Sequence, residues 1–152
     1  MKSRSRYFAI SLIVFLSIGI FTTVGYSQAV KSDNEKAIME GAKVMMDANK
    51  MIMDLMTKKG MNDAELTAAD KKMTDGYNMI IKGDSMMTGK TMAEGKEMVS
   101  QGAKMMLEAK KTVAAFVEKK GMTQECASFL EKCANGERQI NYGLQSAGGG
   151  KQ

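Results

Sequence analysis

When this 152-residue chain is slid against itself by 61 positions, two blocks match. GAKVMMDANK from Gly41 falls on GAKMMLEAKK from Gly102, and KKGMND from Lys58 falls on KKGMTQ from Lys119. About ten identities over roughly thirty aligned positions exceed what shared Lys, Met and Ala usage explains, so the chain is expected to hold a tandem repeat. Whatever one copy folds into, the other must also adopt. Each copy reads as helix, tight turn, helix.

The turn carries the clearest local chemistry. Lys58 and Lys59 suit the negative end of a helix dipole, Gly60 can take the left-handed position after the helix, and Met61 follows as its hydrophobic partner. Asn62 is then expected to cap the next helix, with Glu65 completing a capping box. Lys119, Lys120, Gly121, Met122 and Thr123 repeat that pattern. Ser32 with Glu35 and Thr91 with Glu94 supply capping boxes for the first helix of each copy, and Ser128 with Glu131 offers another in the fourth helix.

Apolar spacing agrees with helices throughout. Ile38, Ala42, Met45, Ile52 and Met56 share one stripe, matched by Val99, Ala103, Met106, Val113 and Val117. The second helix offers Leu66, Ala69, Met73, Tyr77 and Ile80, and the fourth offers Phe129, Leu130, Cys133 and Ile140. No strand pattern is present. The expected fold is all-α: an up-down antiparallel four-helix bundle built from two duplicated hairpins, about 35–84 and 92–144, closed within one chain or by hairpins pairing between two chains.

Small residues recur every seven positions: Ala69, Gly76 and Gly83; Gly95, Gly102 and Ala109; Gly136 and Gly143. Glycine inside a helix costs roughly 1 kcal/mol relative to alanine, so the series implies either close helix approach or room for a long side chain opposite. The alternative is that these glycines merely loosen the helices.

The first 29 residues read as an export signal: Lys2, Arg4 and Arg6, then an apolar run, then Ser27 and Ala29 where a signal peptidase would cut. Cleavage after Ala29 gives a periplasmic or extracellular protein. The apolar run is long for a signal, so an uncleaved membrane anchor is the other outcome. Three of the 22 basic residues and none of the 17 acidic ones lie in this segment, which leaves a balance of +2 in residues 30–152. Interleaved Lys and Glu/Asp then describe solvated helix faces, and nucleic-acid binding loses its support. Residues 30–145 suffice for one domain, and 146–152, with three consecutive glycines, should form a flexible tail.

All but one of the 17 methionines lie beyond the signal, against five leucines: Leu55, Leu66, Leu107, Leu130 and Leu144. Met45, Met56, Met73 and Met106 fall on core stripes, where unbranched thioethers fill irregular space. Met39, Met46 and Met53 form a second column, Met51 and Met79 project elsewhere, and Met86 and Met87 sit between helices. Thioethers are soft ligands that favour Cu(I) or Ag(I), and a chain without histidine suits these better than zinc, Cu(II) or haem. Residues seven apart on a helix lie about 10.5 Å apart and cannot share an ion, so any site must form between helices or where Met86 and Met87 meet Met92. Met46, Met53, Met56, Met86, Met87 and Met92 are the candidate ligands. In composition and compartment the chain resembles the broad class of methionine-rich exported proteins associated with copper or silver handling. The same methionines could form an adaptable surface for a protein partner, or a pool that takes up oxidants as sulfoxide.

Cys126 and Cys133 are the only cysteines, and an exported chain is expected to oxidise such a pair. In a continuous helix their i,i+7 spacing exceeds the roughly 7 Å that a disulfide can bridge. An intramolecular bridge therefore requires the helix to begin late, near Ser128; the alternatives are free thiols, a bridge to a second chain, or a metal thiolate. No imidazole base, phosphate loop or carboxylate pair in an apolar setting is present, so an enzyme is not expected.

Overall fold

A computed structural model describes residues 32–148. The expected export signal and its cleavage site, and the last four residues, lie outside the described residues. Four α-helices follow in order: α1 (Asp33–Lys58), α2 (Ala64–Ser85), α3 (Met92–Lys119) and α4 (Ala127–Gly148), with one 3₁₀ turn, Gly89–Thr91, leading into α3. The described residues contain no strand. The fold is an all-helical bundle, and none of its helices is long and apolar enough to cross a membrane. Helix α4 continues to Gly148, into the stretch expected as tail.

Helix ends follow local chemistry where one short segment decides them. Ser32 and Glu35 form the expected capping box: Glu35 N donates to Ser32 Oγ at 3.3 Å, and Ser32 N donates to Glu35 Oε2 at 3.1 Å. After α1, Gly60 takes φ +68°, Gly60 N donates to Thr57 O and Met61 N to Met56 O. After α3, Gly121 takes φ +69°, Gly121 N donates to Glu118 O and Met122 N to Val117 O. Both are Schellman ends, in which a residue without a Cβ adopts the left-handed conformation and two otherwise orphaned carbonyls gain donors.

Three expected caps are replaced. Asp63, not Asn62, caps α2, accepting from Glu65 N at 2.8 Å and Leu66 N at 3.3 Å. A carboxylate satisfies two orphan amides and carries a negative charge at the positive helix end, which the Asn62 amide cannot match. Thr91 Oγ1 turns back to donate to Met86 O at 2.6 Å and Thr88 O at 3.0 Å, so it closes the α2–α3 connection and makes no side-chain cap. Ser128 lies inside α4, which begins one residue earlier at Ala127; Cys126 is the last residue of the turn, with Leu130 N donating to its carbonyl. Thr123 likewise precedes the helix by several residues and does not cap it.

All ten residues of the α1 and α3 stripes are buried, as are Leu66, Ala69, Met73, Ile80, Cys133 and Ile140; Tyr77, Phe129 and Leu130 are half-buried. The closest backbone approaches join α1 to α4 and α2 to α3, whereas α1–α2 and α3–α4 are spaced more widely. The glycines cause this pairing. A Cβ on Gly41 would lie 2.5 Å from Gly136 O, and one on Gly143 2.5 Å from Asn34 O. A Cβ on Gly76 would lie 2.7 Å from Gly102 O, and one on Gly83 2.6 Å from Gly95 O. In both pairs the residue number rises along one helix as it falls along the other. Gly41 was absent from the heptad series, yet it is the α1 partner of Gly136. Within each tight pair a long unbranched methionine lies over the partner helix's glycine: Met45 Cγ over Gly136 and Met106 Cγ over Gly76.

Candidate soft-metal site

Sulfur collects in two buried clusters. One is made by the first half of α1, the second half of α2, much of α3 and Ile140, and holds Met45, Met46, Met73, Met87 and Met106, with Met39 packed against it. The other lies where the two Schellman turns meet and holds Met56, Met122, Cys126 and Cys133, with Met53 and Met61 half-buried at its edge. Lys59 and Glu125 tie these turns together, Nζ to Oε2 at 2.7 Å.

The six candidate methionines are therefore divided. Met46 and Met87 enter the first cluster, Met53 and Met56 the second, and Met86 and Met92 neither. Met87 is buried, its Cγ 3.1 Å from where a Gly95 Cβ would stand, while Met92 is exposed. The connection thus directs Met87 inward and Met92 outward. The i,i+3 pair Met53 and Met56 does stay together.

Cys126 and Cys133 are both free and both buried. Cys126 stands in the turn directly before α4, its carbonyl accepting from Leu130 N, so it lies about two helical turns, roughly 10 Å, from Cys133, too far for an intramolecular bridge. Burial raises the Cys126 thiol above its ordinary pKa, with Glu125 adding to the rise and Lys59 opposing it. Burial likewise pushes Cys133 up to about 11, opposed by Lys110 and reinforced by Glu137. Both thiols are protonated at neutral pH, and a metal would have to displace a proton from either.

The chemistry open to the second cluster is soft: neutral thioethers with a single thiol that ionises on metal binding, since Cys126 and Cys133 are too far apart to share one ion. Met61 and Met122 read in sequence as turn residues, and the cysteines stand open there between a bridge, free thiols and a metal thiolate, so their place in one cluster with Met56 was not visible. One signal was available: an offset of 60 places Cys126 on Leu66 and Cys133 on Met73, both core positions. Among the described residues no three Cys, Asp or Glu side chains gather as a group that could hold a metal ion. No known protein family, characterised protein or solved structure matches the chain.

Proposed function

We infer that this is an exported, non-enzymatic helical protein that binds or buffers a soft monovalent ion, Cu(I) or Ag(I), through interior sulfur. Its architecture on this reading is an up-down antiparallel bundle of two duplicated hairpins. The matched Schellman turns at Gly60 and Gly121 and the matched glycine contacts support the duplication. One observation carries the functional reading: both thiols share a buried cluster with Met56 and Met122, and Met53 and Met61 line its edge.

Anaerobic titration against a weak chromophoric Cu(I) chelator tests it. The wild type should withdraw Cu(I), and replacing Met53 and Met56 by Leu should weaken that more than replacing Met46, Met86 and Met87, since each Leu for Met costs under about 1.5 kcal/mol of stability. A site containing one thiolate binds about tenfold more tightly per pH unit below the thiol pKa, whereas a thioether-only site shows no such slope. A wild type that leaves Cu(I) on the chelator rejects metal binding.

A second reading has its own support, because Met45, Met73 and Met106 have no exposed surface and two of them fill space above glycines. On that reading methionine is the packing residue of a structural or partner-binding bundle. The same leucine variants then bind nothing, like the wild type, and are at least as stable, because leucine has better-defined rotamers.

A further inference from the structure

The tight helix contacts come in two sets that are copies of each other. Along α1 and α4 they fall at Gly41 with Gly136 and Asn34 with Gly143; along α3 and α2 they fall at Gly102 with Gly76 and Gly95 with Gly83. A shift of 61 carries Asn34 and Gly41 onto Gly95 and Gly102, and a shift of 60 carries Gly76 and Gly83 onto Gly136 and Gly143. The first hairpin therefore receives the second through the same positions by which the second receives the first. Each contact brings backbone to backbone, so it selects a helix with glycine or open backbone opposite, not merely an apolar face.

We propose that the protein pairs with a second copy of itself by exchanging hairpins: α1 and α2 of one molecule close on α4 and α3 of the other through these glycine contacts. The occupant of each seam is already visible, since within one molecule it is the other hairpin. This rests on the duplicated-hairpin reading and is independent of metal binding. The glycine contacts between hairpins survive the exchange; what changes is residues 86–91, with Met87's packing beside Gly95. That segment reverses the chain through Gly89 at φ +56°, with Thr91 Oγ1 returning to Met86 O. So short a tether holds the partner hairpin at an effective concentration in the millimolar range. The closed monomer wins in dilute solution, and the exchanged dimer wins at high concentration or when the connection cannot turn.

Deleting Thr88, Gly89 and Lys90 from the otherwise complete chain removes the reversal. Light scattering should then report twice the monomer mass with wild-type helicity, and adding Gly102→Val or Gly41→Val should abolish that dimer. A folded monomer after the deletion, or a dimer indifferent to both valines, overturns the proposal. Should the deletion variant fail to fold, the intact wild type decides: light and ¹⁵N-labelled chains are mixed at millimolar concentration, unfolded in urea and refolded together, and native mass spectrometry should find a mixed-label dimer. Monomers alone overturn the proposal.

Discussion

Asn49 has no exposed surface, and only part of its amide is satisfied: Nδ2 donates to Asp70 Oδ1 at 2.6 Å, while Oδ1 has no partner. An unpaired buried carbonyl costs about 1–3 kcal/mol, and Asp70 is exposed enough to recover water if its partner leaves. Asn49→Leu should therefore raise the urea midpoint, by about 1 kcal/mol in stability, whereas Asn49→Ala should lower it by leaving a cavity. The thiols make a prediction in pH. Burial lifts Cys133 from 9.0 to about 11. A folded pKa above the unfolded one gives stability that is complete below pH 9 and lost as pH rises towards 11. Wild type minus Cys133→Ala, followed by urea unfolding between pH 8 and 11, isolates this loss from lysine and tyrosine titration. Neither cysteine should react with a disulfide reagent at pH 8 until the protein is unfolded, since both are protonated and buried.

At the scale of the helix, the glycines separate into two kinds with different costs. Gly41 and Gly102 stand inside helices, where alanine would add roughly 1 kcal/mol of helix propensity. Yet their Cβ atoms would meet the backbone carbonyls of Gly136 and Gly76, which move only if the helices separate. Gly41→Ala and Gly102→Ala should each destabilise by about 1–3 kcal/mol despite the propensity gain, read from thermal unfolding. Gly60 and Gly121 have nothing within 4 Å of a Cβ but hold φ near +68°. Alanine there should cost about 1 kcal/mol, through backbone strain alone. Double variants distinguish the two mechanisms: Gly41→Ala with Gly60→Ala should be additive, being far apart, and Gly41→Ala with Gly136→Ala should not.

Across the whole molecule, the packing ranks the methionines by access to solvent. Met51 and Met92 are each 39 % exposed, whereas Met45, Met73 and Met106 have no exposed surface. Mild peroxide treatment of the folded protein should convert Met51 and Met92 to sulfoxide well before those three, with peptide-resolved mass spectrometry as the readout. Equal rates for all five would mean that the interior opens on the timescale of oxidation. The interhelix ion pairs Lys72–Glu108 at 2.5 Å and Lys110–Glu137 at 2.8 Å bridge α2 to α3 and α3 to α4. Lying at or near the surface and screened by solvent, they contribute little, so raising salt should shift the melting temperature only slightly.

Helix number, the Ser32–Glu35 box, both Schellman turns and the buried stripes of α1 and α3 were determined by the sequence itself. Each depends on residues within about two helical turns of one another: a hydroxyl and a carboxylate three apart, a glycine that can take positive φ, apolar side chains recurring every 3.6 positions. Neighbouring acceptors blur even this local reading, as Asp63 displacing Asn62 shows. A stripe states which face is buried but not against what. Only the tertiary structure decided that Gly41 meets Gly136, that Met87 turns inward while Met92 does not, and that Met122 and Cys126 join Met56 in one cluster. The glycine contact and the sulfur cluster join residues some 65 to 95 positions apart, and Met87 turns inward where α2 closes on α3, all set by which backbones approach closely enough to exclude a Cβ. Several helix pairings satisfy the same hydrophobic pattern, and steric fit between whole helices chooses among them.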